Sequence, residues 1–202
     1  MPNDLQLLAA WRGGDRRAGG QLFDRHFSSI RRFFRSKVGD DYDELVQRTF
    51  TRCVEGQLRF RGEGSFRSYL FSIATNVLRE HLRECRRGRH FDGNASSVVD
   101  LELPGPSTAL DARREQLVLL GALRRLPIND QIVIELFYWE QMTSAELAEV
   151  LSVPHGTARS RLRLARERLR GHVDELSRNV SEVELTRQSL DHWAVELRQQ
   201  FK

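Results

Sequence analysis

The stretch from Thr143 to Arg170, TSAELAEVLSVPHGTARSRLRLARERLR, constrains the fold of this chain more than any other. Thr143 is followed three residues later by Glu146, a spacing in which each side chain satisfies an unpaired backbone N–H at the start of a helix. The apolar residues that follow recur at helical intervals, break at Ser152–Pro154 and resume after His155. The sequence therefore predicts two helices joined by a three-residue turn, which is the helix-turn-helix arrangement.

The second helix of this pair has one apolar stripe and is otherwise basic. The apolar positions, spaced four, three and four apart, are Ala158, Leu162, Ala165 and Leu169. At about 100° per residue, the opposite face is expected to enter a DNA major groove and contact base edges. That face and the start of the helix carry His155, Gly156, Thr157, Arg159, Ser160 and Arg163. Its flanks, where phosphate contacts are expected, carry Arg161, Arg166 and Arg168.

Arginine supplies almost all of the positive charge of the chain. The 202 residues have a formal net charge of +4, and lysine occurs only at Lys37 and Lys202. A planar guanidinium suits phosphates and guanine edges better than an ammonium group does. Codon bias in a GC-rich genome would also produce many arginines, and an amphipathic helix can simply have a solvated basic face. The clustering of arginines, rather than their number, indicates a polyanionic partner.

The rest of the composition is typical of a soluble helical protein. The N-terminus, MPNDLQLLAAWRGG, lacks a basic leader followed by an apolar run, and no window approaches eighteen consecutive apolar residues. We therefore expect a cytoplasmic protein without membrane insertion. Cys53 and Cys85 are too few for a disulfide framework, and both are expected to be reduced thiols in helices.

The spacing of apolar residues predicts an all-α fold of two small helical domains joined by a flexible linker. Four helices are expected in the first domain, residues 1–88. Residues 89–109, RHFDGNASSVVDLELPGPSTA, have no periodicity and are interpreted as the linker. The second domain, residues 110–170, is expected to contain helices near 110–126 and 130–139 before the helix-turn-helix. Residues 171–202 form an acidic C-terminal extension with helical spacing, whose role the sequence leaves open.

Two blocks of this chain resemble bacterial sigma factors. DELVQRTFTRCVE (residues 43–55) and FRGEGSFRSYLFSIATNVLREHLRECRR (60–87) resemble their second conserved region. ALRRLPINDQIVIELFYWEQMTSAELAEVLSVPHGTARSRLRLARERL (122–169) resembles the fourth. The order of the blocks is similar to that of the extracytoplasmic-function (ECF, group 4) family. The resemblance implies a non-enzymatic factor, without cofactor or metal, that directs promoter-specific transcription initiation.

The resemblance also implies partners: core RNA polymerase, through its β′ clamp helices and β flap, promoter DNA and an anti-sigma factor. The fourth region would recognise the −35 duplex. The second region would dock on the polymerase and capture the −10 element as an opened single strand. The implied polymerase-binding residues are Asp43, Leu45, Val46, Gln47 and Phe50.

Strand capture would involve the loop FRGEGSF and the helix after it. A base drawn from the stack needs an aromatic wall and polar edges, and its backbone needs cations. The candidates are Phe60, Arg61, Ser65, Phe66, Tyr69, Asn76, Arg79, Arg83, Arg86 and Arg87. The family usually has tryptophan at the position of Tyr69, so the stacking surface here is smaller. Because aromatic residues at helical spacing usually pack inward, core positions are the alternative for Phe66 and Phe71.

The second block departs from the family pattern at two positions. Ser152 stands where the family usually has glycine in the turn, and Ala158 stands where it often has valine. Neither residue forbids the motif. A left-handed backbone at Ser152 would be strained by about 1 kcal/mol, whereas an extended backbone would let this serine cap the second helix.

Other classes of function remain as alternatives. A stand-alone helix-turn-helix regulator would have no use for Gln47, the FRGEGSF loop or a linker between two DNA-binding modules. A nucleic-acid enzyme would need the acids at 40, 41, 43 and 44 to hold magnesium, although acids at a helix N-terminus are also explained by the helix dipole. His81, Cys85 and His90 are potential zinc ligands that lack a fourth partner at metal-site spacing.

Overall fold

The computed structural model describes residues 1–38, 42–58, 60, 62, 64–89 and 118–177, and the regular secondary structure within these ranges is all α-helical. The helices are α1 (Asp4–Arg12), α2 (Arg16–Arg35), α3 (Tyr42–Gly56), α4 (Phe66–Arg89), α5 (residues 118–125), α6 (Ile128–Tyr138), α7 (Ser144–Leu151) and α8 (His155–Ser177). The all-α fold class and the four helices expected in the first block are confirmed. No helix within these ranges is long and apolar enough to cross a bilayer.

Polar side chains start several of the helices. Asn3 and Gln6 form a capping box at α1, and Asp15 accepts hydrogen bonds from the backbone of Arg17 and Ala18 at the start of α2. The predicted capping box at α7 is present, since Thr143 accepts from the backbone N–H of Glu146 and the Glu146 carboxylate accepts from that of Thr143. These bonds satisfy backbone donors that have no partner inside the helix.

The described residues form two compact units, and the first contains α1 to α4 together with α7. Its core is apolar and includes Leu22, Ile30, Phe34, Leu45, Phe66, Leu70, Phe71 and Val77. The predicted core alternative for Phe66 and Phe71 is therefore what the structure shows. Cys53 is fully buried in the same core, and burial raises the pKa of its thiol to about 12. This thiol stays protonated at neutral pH, as expected for a cysteine that only fills space.

The second unit contains α5, α6 and α8. The predicted apolar stripe of α8 is confirmed, because Ala158, Leu162, Ala165 and Leu169 are all buried. Val173 continues this stripe by one further turn and is fully buried. Leu176 lies beside Gly121 of α5, where an added β-carbon would meet its Cδ1 at 3.4 Å.

Helix α8 continues past Arg170, where the sequence placed the end of the second domain, and runs to Ser177. Val173 explains the difference, because a buried apolar residue one turn beyond Leu169 stabilises a longer helix. The compact units also group α7 with α1 to α4, whereas the predicted division placed it with α8. Residues 90–109, which are most of the predicted linker, lie outside the described residues. So do residues 178–202 of the extension, whose apolar positions at helical spacing are Val180, Val183, Leu190, Trp193 and Leu197.

Candidate functional site

The start of α8 presents a polar and basic surface with small residues among the arginines. The predicted base-edge residues Gly156, Arg159, Ser160 and Arg163 are exposed, as are the predicted DNA-binding residues His155 and Thr157. Gly156 has nothing within 4 Å of the position of a β-carbon, so a DNA backbone or base could approach the helix closely there. The predicted surface therefore exists as a contiguous face on about the first two and a half turns of α8.

The arginines of α8 differ in what they contact. Arg163 donates to Glu167, one turn along, at 2.6 Å. Arg168 donates to Asp130 of α6 at 2.5 Å, and the Asp130 side chain is only 12% exposed. Neither Arg159 nor Arg161 forms an ion pair with an acid in the described part of the chain. These two exposed guanidinium groups can therefore bind DNA without first losing an ion pair.

Arg166 lies against α6 rather than on the open face. Its guanidinium carbon is 4.7 Å from the ring centroid of Phe137 and 5.3 Å from that of Tyr138, and its side chain is half-buried. A cation over aromatic faces is held by electrostatic attraction to the rings, and its methylene groups cover apolar surface. This position favours a packing role for Arg166 over the phosphate contact that its sequence position suggested.

The turn before α8 contains a strained residue. Ser152 ends α7 with φ 52° and ψ 49°, which is the left-handed conformation. Its backbone N–H bonds back to the carbonyl of Glu149, so the serine terminates α7 and does not cap α8. This is the case for which the sequence predicted strain of about 1 kcal/mol, since a β-carbon is disfavoured in this region.

One face of α4 carries the predicted strand-binding residues in helical register. Tyr69, Asn76, Arg79 and Arg83 follow one another at intervals of seven, three and four residues, with Arg86 and Arg87 one turn further. Asn76, Arg83, Arg86 and Arg87 are exposed, and Tyr69 and Arg79 are half-buried. Because i, i+3, i+4 and i+7 positions share a face, the structure brings these residues into one row.

The two acids of α4 lie at the edge of this row, where arginines of α3 contact them. Glu80 lies 2.6 Å from Arg52 and 3.7 Å from Arg48, and Glu84 lies 3.5 Å from Arg48. The hydrogen bond from Arg52 lowers the pKa of Glu80. Both carboxylates are thus engaged by arginines of the neighbouring helix. The exposed arginines of the row, Arg83, Arg86 and Arg87, form no ion pair with these two acids.

An aromatic group stands at the start of α4. The ring of Phe60 is 4.9 Å from that of Tyr69 at an interplanar angle of 31°, and 6.4 Å from that of Phe66. Phe60 and Tyr69 are half-buried, whereas Phe66 is 1% exposed. Phe60 and Tyr69 can therefore offer a ring face to a base, and Phe66 supports them from the core. Arg61 lies outside the described residues.

Ser65 has a structural role at this point. Its hydroxyl accepts a hydrogen bond from the backbone N–H of Ser68 at 3.0 Å, which makes it the N-cap of α4. The same hydroxyl donates to a carboxylate oxygen of Glu146 in α7 at 3.5 Å. The sequence predicted Ser65 as a polar contact to DNA, and it did not predict either of these bonds.

On α3, the predicted polymerase-binding residues divide into exposed and buried ones. Asp43 and Gln47 are exposed, and Phe50 is half-buried. Leu45 and Val46 are 1% and 3% exposed and belong to the core, so they cannot contact a partner directly. Leu45 is rotated to the opposite side of the helix from residues 43, 47 and 50. Val46 lies between Phe50 and the buried Thr49 and Cys53, so the core covers it.

The exposed face of α3 also includes apolar residues outside the predicted polymerase-binding set. Val54 lies one turn after Phe50 and is 44% exposed. Phe27 of α2 is 47% exposed and stacks on Phe50 with an interplanar angle of 19°. Together with Asp43 and Gln47, these residues form a surface with an apolar centre and a polar edge, which we call the α3 surface. The i+4 spacing of Phe50 and Val54 could have predicted one of them, but Phe27 comes from another helix.

The described residues contain no group of three side chains that could hold a metal ion. Cys85 lies 3.5 Å from the Nε2 atom of His81, as expected for residues one turn apart, and His90 lies outside the described residues. Asp43 and Glu44 occupy the first turn of α3, where negative charge suits the helix dipole, while residues 40 and 41 are not described.

Comparison with known proteins gives matches over both blocks. Residues 22–88 match the family described as Sigma-70 region 2, and residues 116–169 match Sigma-70, region 4. The RNA polymerase sigma factor NccH of Alcaligenes xylosoxydans xylosoxydans is 33% identical over 162 residues, which are 77% of this chain and 87% of that protein. The ECF RNA polymerase sigma factor SigM of Mycobacterium tuberculosis is 31% identical over 170 residues, 83% of each chain.

Two solved structures have similar folds. CnrH in complex with the cytosolic domain of CnrY has a TM-score of 0.58 and 26% identity, and the match covers 84% of this chain and 96% of that one. The sigma factor RpoE, in complex with the anti-sigma factor NepR from Bartonella quintana, has a TM-score of 0.61 and 21% identity, over 81% of this chain and 98% of that one.

Proposed function

This chain belongs to the extracytoplasmic-function family of RNA polymerase sigma factors, and from that premise we propose which of its surfaces perform each step of promoter-specific initiation. As a sigma factor it binds core RNA polymerase and recognises promoter DNA. In our proposal the α3 surface binds the polymerase, the open face of α4 with Phe60 and Tyr69 captures the −10 strand, and the first two turns of α8 contact the −35 duplex. The functional domains are residues 1–88 and 110–170.

The observation that carries this proposal is the separation of charges around α4. Its two acids, Glu80 and Glu84, are bound by arginines of α3, while Arg83 and Asn76 face outward in line with Tyr69. A row that passes from an aromatic ring to an amide and then to guanidinium groups matches what an unpaired strand requires, since bases stack and phosphates need cations. A helix that only packed inside the protein would not need this order.

The polymerase-binding assignment is tested by changing the edge of the α3 surface. Asp43→Lys combined with Gln47→Ala should weaken binding to purified core RNA polymerase and leave the helical circular dichroism unchanged, because both side chains are exposed. Glu55→Lys is the matched control: it makes the same charge change on an exposed residue of α3 that lies outside the surface. Wild-type affinity of the double variant would remove α3 from the proposal.

Three further points belong to the same proposal. The chain acts without catalysis of its own, in the cytoplasm, where the polymerase and the promoter are. An anti-sigma protein regulates it, as the complexes of CnrH with CnrY and of RpoE with NepR suggest by similarity. The apolar centre of the α3 surface, Phe27 and Val54, is exposed enough to bind such a protein in place of the polymerase.

A further inference from the structure

We propose that Arg12, the last residue of α1, is a positioning residue for strand capture: it fixes the loop between α3 and α4 so that Phe60 and Tyr69 present their rings to an unpaired base. This inference rests on the proposed role of that loop in binding the −10 strand. Arg12 lies ahead of residues 22–88, the part of the chain that matches Sigma-70 region 2.

The contacts of Arg12 reach two points of the loop from one side chain. Its Nε atom donates to the backbone carbonyl of Gln57 at 3.0 Å, and its Nη2 atom donates to the same carbonyl and to that of Phe60. Its guanidinium carbon is also 6.0 Å from the centroid of the Phe60 ring. The planar fork of an arginine fixes the directions of these donors, so the two carbonyls are held in a defined relation to each other.

The base of this side chain is itself firmly held. Leu7 and Leu8 of α1 are buried, and the ring of Trp11 makes an edge contact with Phe23 of α2 at 5.2 Å. Gly19 allows this contact, because a β-carbon there would lie 2.8 Å from the indole. Helix α1 therefore packs closely on α2 and provides a fixed support for Arg12.

The ring of Phe60 in turn supports the ring of Tyr69. The two rings are 4.9 Å apart, and the Tyr69 hydroxyl lies so close to Gly56 that a β-carbon there would meet it at 2.5 Å. Tyr69 thus sits between the end of α3 and the ring of Phe60. If Arg12 released the loop, Phe60 would lose its anchor and Tyr69 would lose one side of its support. The family usually has the larger tryptophan at this position, so a tyrosine depends more on being held in place.

Arg12 also bonds to the carbonyl just after the end of α3, so a purely structural role has to be separated from positioning. The experiment uses holoenzyme assembled from core RNA polymerase and the full chain, with a −10 single-stranded oligonucleotide carrying 2-aminopurine as the probe. Arg12→Ala should weaken binding of this strand about fivefold or more, which is the lower end of the cost of one lost stacked base. Affinity for core polymerase and for −35 duplex should stay unchanged. Arg12→Lys, which keeps the charge but lacks the planar fork, should recover part of the loss, and the exposed Arg16→Ala is the matched control.

A double variant keeps the test valid if Arg12→Ala lowers stability. If Arg12 acts through Phe60, then Arg12→Ala with Phe60→Ala should bind the strand no more weakly than Phe60→Ala alone. Additive losses, a parallel loss of core binding, or wild-type strand affinity of Arg12→Ala would each overturn the inference. Phe60→Ala and Tyr69→Ala distinguish failure of the inference about Arg12 from failure of the proposed role of the loop. If these two variants weaken strand binding and Arg12→Ala does not, only the inference fails. If they too leave it unchanged, the proposed role of the loop fails and the inference fails with it.

Discussion

Helices α4 and α8 are both rich in arginine, yet they achieve a basic surface in opposite ways. On α4 the acids are bound by Arg48 and Arg52 of α3, and Arg83, Arg86 and Arg87 are exposed. On α8 the arginines themselves are divided, since Arg163 and Arg168 are paired with acids and Arg166 covers two aromatic rings. Among the described arginines of α8, Arg159 and Arg161 at its beginning and Arg170 further along form no ion pair with an acid.

The difference shows that the number of arginines on a helix does not give the number available to DNA. Arg159 and Arg161 lie on the first two turns, which is the part of a recognition helix that contacts base edges. Arg166 and Arg168 lie further along, where they join α8 to α6. The four predictions below test this division and run from the largest expected effect to the smallest.

Arg159→Ala should cost about 1–3 kcal/mol in −35 binding and relax sequence preference at one position, as expected for the loss of a bidentate base contact. Arg161→Ala should instead weaken binding to all sequences alike, because a phosphate contact carries no sequence information. Selection of binding sites from a random duplex library, followed by titration of the selected duplex, measures both effects. An unaltered selected motif with Arg159→Ala would show that Arg159 does not contact a base.

Arg166→Ala should lower the free energy of unfolding by about 1–2 kcal/mol, because it removes a cation from two ring faces and uncovers apolar surface. The salt dependence of DNA binding should change little. Urea denaturation provides the first measurement, with Arg161→Ala as the exposed control on the same helix. Should Arg166→Ala keep full stability and reduce the salt slope by about 1, Arg166 would be a phosphate contact after all.

Serines also stand in different backbone settings before α4 and α8, since Ser65 caps α4 and Ser152 ends α7 just before α8. Substitutions of these two serines should therefore change stability in opposite directions. Ser65→Ala should destabilise the protein by about 1 kcal/mol, since it removes the N-cap of α4. Ser152→Gly should stabilise it by up to about 1 kcal/mol, since glycine adopts a left-handed backbone without strain. Ser36→Gly is a control for the latter, because Ser36 ends α2 with φ −72°. Equal effects of the two glycine variants would show that Ser152 is not strained.

The smallest effect is expected on α4. Arg83→Ala should reduce the salt slope of holoenzyme binding to promoter DNA by about 1, corresponding to one phosphate contact. Arg48→Ala is the matched comparison, because Arg48 is already engaged by Glu80 and Glu84 and should contribute no phosphate contact. Filter binding at several salt concentrations compares the two slopes. A larger decrease with Arg48→Ala would contradict the charge separation proposed for α4.

Much of the fold could be predicted because it depends on local patterns. The stripe from Ala158 to Leu169, the capping box at Thr143 and the helix near 130–139 are confirmed, since period and capping act over a few residues. The family motif ends at Leu169 and so does not indicate that α8 runs on to Ser177, where the buried stripe continues through Val173.

The candidate site was harder to predict, because the role of a side chain depends on neighbours from other helices. Leu45 and Val46 match the motif of a polymerase-binding segment, but packing buries them. Phe27 reaches the α3 surface from α2, and Arg12 reaches the α3–α4 loop from α1. No spacing along the chain indicates such contacts.

By itself, the sequence determined the family, the all-α class and the helices to which we assign function, because helical periodicity and two family motifs are properties of consecutive residues. Only the tertiary structure decided which arginines are available to DNA. A guanidinium forms strong contacts with whichever carboxylate, carbonyl or ring lies within a few ångströms, and for Arg12, Arg166 and Arg168 that group belongs to a residue at least 28 positions away in sequence.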